Sequence, residues 1–175
     1  MELRIRRAKK LAESIKVEEI EEDLKKLEMV IEKTWRYMRE IGVTEICRRC
    51  AEETGSCCRD WVEDEVDEVM IAMNIVMGVE IPKRRLRDDL CYFLGENGCV
   101  LKVRPNLCVS YLCELITRKI GYEREKKLQE LIEREIEISS KVREKFLRKF
   151  SCSLGRSSLK SYRFPSHIQG KNPST

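Results

Sequence analysis

Eight cysteines fall between residues 47 and 113 of a 175-residue chain that holds a single histidine. They run Cys47-x2-Cys50-x6-Cys57-Cys58, then 32 residues, then Cys91-x7-Cys99-x8-Cys108-x4-Cys113. Thiols at this density are expected to ligate metal, to cross-link, or to carry redox chemistry. The lone His167 lies in a polar tail, which argues against histidine-based catalysis and mixed Cys/His sites. Cys152 stands apart from the eight and reads as a solitary thiol.

The expected compartment sharpens the choice. The stretch Met1-Glu2-Leu3-Arg4-Ile5-Arg6-Arg7 has no apolar segment behind it, so no secretory signal is visible. The longest apolar stretch, Val69 to Val79, spans 11 residues, short of the roughly 20 a membrane helix needs. A reducing cytoplasm is therefore expected, where clustered thiols are metal ligands more often than disulfides. The chain is rich in Glu, Lys and Arg with two Gln and four Asn, a thermophile-like bias. Hyperthermophile cytosols tolerate disulfides, so a disulfide-stabilised helical domain stays open as an alternative.

Soft thiolates select zinc, Cu(I) or iron–sulfur clusters. A C-x2-C turn places Cys47 and Cys50 on one side of one ion. Adjacent Cys57 and Cys58 point in different directions on most backbones, so they serve two ions, or an ion and a bridge, more naturally than one tetrahedron. Eight thiolates would fill two four-thiolate sites. Two divalent ions against eight thiolates leave −4 at the site and bring the chain's formal +4 to about zero. Arg48, Arg49, Arg59 and Arg104 lie near the cysteines in sequence and are candidates to hydrogen-bond sulfur. Cys108 and Cys113 are five apart, so on one ideal helix they would not share a face. That segment must distort, or the two thiols must serve different ions. The spacing departs from the ferredoxin run, but two sets of four thiols also suit iron–sulfur clusters.

Hydrophobic periodicity supplies the frame. Residues 1–16 form a basic segment with six Lys/Arg against Glu2 and Glu13. Val17, Ile20, Leu24, Leu27, Ile31, Trp35, Met38 and Ile41 make a long helical stripe that Gly42 can end. Val62, Val66, Val69, Met73, Val76 and Met77 predict a second helix, bounded by Gly78 and Pro82. Gly95-Glu96-Asn97-Gly98 predicts a turn between the short strands of a hairpin, Tyr92 to Leu94 and Val100 to Val103. Pro105 suits the first turn of a helix carrying Leu107, Tyr111, Leu112 and Leu115, with Gly121 at its end. A last helix over about 122–149 carries Leu128, Ile132, Ile136, Ser139, Val142 and Phe146. Residues 151–175 read as a disordered tail, and residues 141–175 carry nine Lys/Arg and one acid. No recognised nucleic-acid motif accompanies that charge, so nucleic acid is not an expected partner.

The cysteine elements resemble the zinc- or iron-chelating domain family, also called the CxxCxxCC or YkgJ-like family. The resemblance covers roughly residues 44–115. It rests on Cys47, Cys50 and the Cys57-Cys58 pair, on Cys91-Tyr92-Phe93-Leu94 with Gly98-Cys99, and on Arg104-Pro105-Asn106-Leu107-Cys108 followed by Cys113. Six residues separate Cys50 from the pair, where the family pattern has two. The resemblance implies zinc or iron binding. A related motif occurs in flagellin lysine N-methylases, but no cofactor-binding motif supports methyl transfer here.

The expectation is a mainly helical domain over 17–150 whose Cys-rich loops are clasped by metal. Its ligands would be Cys47, Cys50, Cys57, Cys58, Cys91, Cys99, Cys108 and Cys113. Zinc or iron ions are the expected cofactors, with an iron–sulfur redox protein as the alternative. No motif marks an enzyme, a membrane anchor or a particular protein partner.

Overall fold

In a computed structural model, the structure describes residues 1–153. His167 and the tail from residue 154 onward lie outside the described residues, as does the side chain of Cys152. The fold is mainly helical. Helices α1 (Glu2–Ser14), α2 (Glu21–Glu40), α3 (Val43–Thr54) and α4 (Glu68–Val76) come first. A two-stranded hairpin follows, β1 (Leu94–Gly95) and β2 (Gly98–Cys99), paired antiparallel with Leu94 opposite Cys99. Two short helices, α5 (Asn106–Ser110) and α6 (Glu114–Ile120), lead into the long α7 (Tyr122–Ser153). None of the described helices is long and apolar enough to cross a membrane.

Two apolar cores share the long helices α2 and α7, which pack along one another. The first core gathers Ala8 and Leu11 of α1, Leu27 and Ile31 of α2, Val69 and Met73 of α4, and Val142 and Phe146 of α7, with Phe93 and Val103 from the loops. The second gathers Val43 and Ile46 of α3, Val109, Ile116 and Ile120 of α5 and α6, and Leu128 and Ile132 of α7. Helix α7 thus turns its N-terminal half to one core and its C-terminal half to the other.

Several elements differ from the sequence reading. The basic segment 1–16 contains a helix, because Ala8 and Leu11 with Ile15 form a narrow buried stripe among exposed cations. Val17 to Glu19 form a single 3-10 turn, and α2 starts only after it. The second predicted helix divides into a 3-10 segment, Asp60–Glu65, and α4. The break falls at Asp67, whose carboxylate accepts a hydrogen bond from the Met70 N–H and so caps α4. The hairpin is confined to two residues per strand, and 100–103 continue as loop.

The helix predicted after Pro105 is interrupted. Helix α5 ends at Ser110, Tyr111 is extended, and α6 begins after Cys113. Its stripe was also misplaced: Leu107, Tyr111 and Leu115 are exposed, while Val109, Ile116 and Ile120 are buried. Helix α7 continues to Ser153, past the expected end at 149.

Candidate metal centre

The first two cysteines sit on a helix, where a loop was expected. Cys47 and Cys50 are three apart on α3 and so lie on one face. The helix stops at Gly55, in the left-handed region at φ 87°, and Ser56 follows at φ 70°. A side chain at 55 would be strained there, and its Cβ would also stand 3.2 Å from the Arg59 guanidinium. These two residues reverse the chain and deliver the Cys57-Cys58 pair. The Ser56 hydroxyl accepts from the Cys58 N–H at 3.1 Å.

The pair is stitched to the next cysteine. The Cys91 N–H donates to the Cys58 carbonyl at 2.9 Å, and Arg59 and Leu90 form an antiparallel bridge. Arg59 donates to Asp89 at 2.9 Å beside it. The hairpin then returns the chain through Gly98, at φ 106°, to Cys99. The break between α5 and α6 separates Cys108, whose N–H donates to the Pro105 carbonyl at 2.9 Å, from Cys113, which precedes α6. The five-residue spacing anticipated a distortion here, and the interruption supplies it.

Electrostatic neighbours place the thiols in two groups that overlap at Cys57. Cys47 feels Cys57, Cys113 and Cys50. Cys58 feels Cys99 and Cys108, and Cys108 feels Cys99, Cys91 and, least, Cys57. The adjacent pair links the two groups: Cys57 acts on both Cys47 and Cys108, and the Cys57 and Cys58 side chains hydrogen-bond to each other. The second group lies against the first core, to which Cys58, Cys91 and Cys99 belong or pack. Cys113 packs against the second core. Thiols of the cluster thus reach both cores, Cys58, Cys91 and Cys99 the first and Cys113 the second.

Most of these thiols are pushed toward the neutral form. Cys47 is exposed at the rim, yet enough protein surrounds its sulfur to raise it to about 11, with Cys57 and Cys113 adding repulsion. Burial, followed by Cys99 and Cys91, raises Cys108 to about 12. Burial also raises Cys91 and Cys99. The hydrogen bond with Cys58 raises Cys57 and lowers Cys58, which makes Cys58 the thiolate side of the pair. Among the described residues, no three Cys, His, Asp or Glu side chains stand close enough together to hold a metal ion as they are placed. The donor set suits a soft ion, and the sulfurs would have to draw together and lose protons to bind one.

The four candidate arginines separate clearly. Arg48 pairs with Glu45 and Glu52, Arg49 with Glu45, and Arg59 with Asp89, all on the surface. Arg104 is 8% exposed. Its guanidinium carbon stands 4.3 Å from the centroid of the Trp35 ring, and Nη2 is 3.7 Å from Glu135 Oε1. Arg104 Nε and Nη2 and Glu135 Oε2 make no hydrogen bond. They border a cavity, lined also by Asn106 and Ser139, with room for about one water molecule.

Sequence reasoning missed three polar anchors of the cysteine loops. Glu135 is a carboxylate on the buried stripe of α7, and that misplaced charge was the available signal. Glu63 accepts the Tyr92 N–H at 3.0 Å and binds Arg85 through both carboxylate oxygens. Asn74 accepts the N–H groups of Lys102 and Val103 at 2.8 and 3.0 Å, and donates to the Val103 and Met70 carbonyls.

The fold is a small, mainly helical domain with two apolar cores, and cysteines of the cluster pack on both. No family model, curated protein or solved structure matches the chain.

Proposed function

We propose that this protein binds metal, zinc or iron, through two groups of four cysteine thiolates. One group is Cys47, Cys50, Cys57 and Cys113; the other is Cys58, Cys91, Cys99 and Cys108. What supports the reading is that thiols far apart in sequence lie within electrostatic reach of one another, Cys47 of Cys113 and Cys58 of Cys108. Four thiolates are a closed tetrahedral set for a structural ion. The order of motif elements supports the same reading through the YkgJ-like resemblance. The raised thiols fit a site that exchanges protons for metal, so its affinity climbs with pH.

The test is metal content. The full chain is purified anaerobically without an affinity tag, and metals are measured by mass spectrometry beside a visible spectrum. About two zinc ions per chain and no colour are expected for two closed sites. Iron with acid-labile sulfide and a band that bleaches with dithionite would replace ions by clusters. Trace metal in the anaerobic protein would reject the proposal.

A further inference from the structure

We propose that the cavity beside Arg104 and Glu135 is a binding site for one resident water molecule, which bridges the guanidinium to the carboxylate where α2, α7 and the chain entering α5 meet. The proposal stands on side-chain geometry and is independent of the metal reading above.

Two charged side chains meet here almost without solvent: 6% of the Arg104 side chain and 3% of the Glu135 side chain are exposed. Nη2 and Oε1 stand 3.7 Å apart, beyond hydrogen-bond length. Nε and Nη2 keep N–H groups to donate, and Oε2 keeps lone pairs to accept. The neighbours do not meet these needs. Trp35 covers the guanidinium with its ring, and its one polar group is another donor. Thr34, buried beside Glu135, gives its hydroxyl proton to the Val30 carbonyl. Buried donors and acceptors of this kind are costly unless a partner reaches them.

The cavity they border selects its guest by size and by bonding. It has room for about one water molecule, so a phosphate or sulfate does not fit. Ile31, Val109 and Ile136 give it apolar walls, and Ser139 and Asn106 add polar groups to those of Arg104 and Glu135. A monatomic anion would accept from Arg104 but repel the carboxylate. A cation would meet the charge of the guanidinium. Water does both tasks: it accepts from Arg104 and donates to Glu135 Oε2, and its second proton is left for an oxygen of Ser139 or Asn106. Three or so hydrogen bonds are the usual complement of a buried water. The bridge ties Trp35 of α2, through Arg104, to Glu135 of α7 without direct contact between the charged groups.

The test is NMR on the full, nitrogen-labelled chain. The Arg104 Nε–H resonance is assigned as the one that Arg104→Lys removes. It is expected to show a cross-peak to water with the sign of the diagonal in NOESY and the opposite sign in ROESY, which marks a held water and not proton exchange. Relaxation dispersion of the water oxygen counts long-lived waters, and one fewer per chain is expected in Arg104→Met/Glu135→Leu, whose folding is checked by urea unfolding. Absence of the cross-peak in the wild type would overturn the proposal, and so would an equal count in the wild type and the folded double variant. A shift of the Nε–H resonance on adding chloride would give the cavity to an anion and overturn it too.

Discussion

Two buried polar centres flank residues 102–104, and they are built to opposite standards. Asn74 uses its amide to the full: two acceptors and two donors, all on backbone groups, all between 2.8 and 3.0 Å. Arg104 and Glu135, one residue further along the loop, leave three polar atoms unmatched. A satisfied amide in a low-dielectric interior rigidifies and specifies. An unsatisfied ion pair at the same depth weakens the fold unless something else uses its charge. The contrast teaches that the loop is anchored by one centre and left electrostatically open by the other.

The largest effect should come from the satisfied centre. Asn74→Leu removes partners from the N–H and carbonyl of Val103 and the N–H of Lys102 and is expected to cost about 4 kcal/mol. Urea unfolding checks it; a loss under about 1 kcal/mol would mean the loop finds other partners.

The open centre should respond in a non-additive way. Arg104→Met alone is expected to cost about 3 kcal/mol in the metal-free chain, because a buried carboxylate loses its cation. Adding Glu135→Leu should restore most of that, since two apolar side chains fill the same space. Equal stability of the single and double variants would erase the distinction between the two centres.

The smallest effect is in pH. Burial holds the Glu135 carboxyl above its ordinary value, so the folded chain binds that proton more tightly than the unfolded chain. Stability is therefore greatest below the unfolded value and falls as pH rises through the folded one. The fall should be absent in Glu135→Gln, so the difference in unfolding free energy between the two proteins should change as pH rises above the ordinary carboxylate range. A constant difference would place Glu135 in an ordinary environment. Asn74 does not titrate and should contribute no such slope.

Much of the frame was legible because it follows simple periodicity. Leu27 and Ile31, and Leu128, Ile132, Val142 and Phe146, recur at helical spacing and are buried where that spacing puts them. Helix α1 was hidden because its stripe is narrow, with the small Ala8 at its centre and cations around it. Helix α3 was read as loop because thiols replace apolar residues along it, so Val43 and Ile46 were the whole of its hydrophobic signal. The interruption at Tyr111 to Cys113 was foreshadowed by spacing alone. The anchors Asn74 and Glu63 were not legible, because the partners that give them their roles, Lys102 and Val103 for one and Arg85 and Tyr92 for the other, lie 22 to 29 residues away. No local pattern encodes such a partner.

The division of α7 between two cores sets an order on the ribosome. Residues 1–113 contain every one of the eight clustered thiols, but Val142 and Phe146 are needed to close the core on which the second group rests. The 33 residues from Cys113 to Phe146 take roughly two to seven seconds to add at the usual 5–20 residues per second. For that interval a nascent chain carries eight reactive sulfurs without the helix that walls them in.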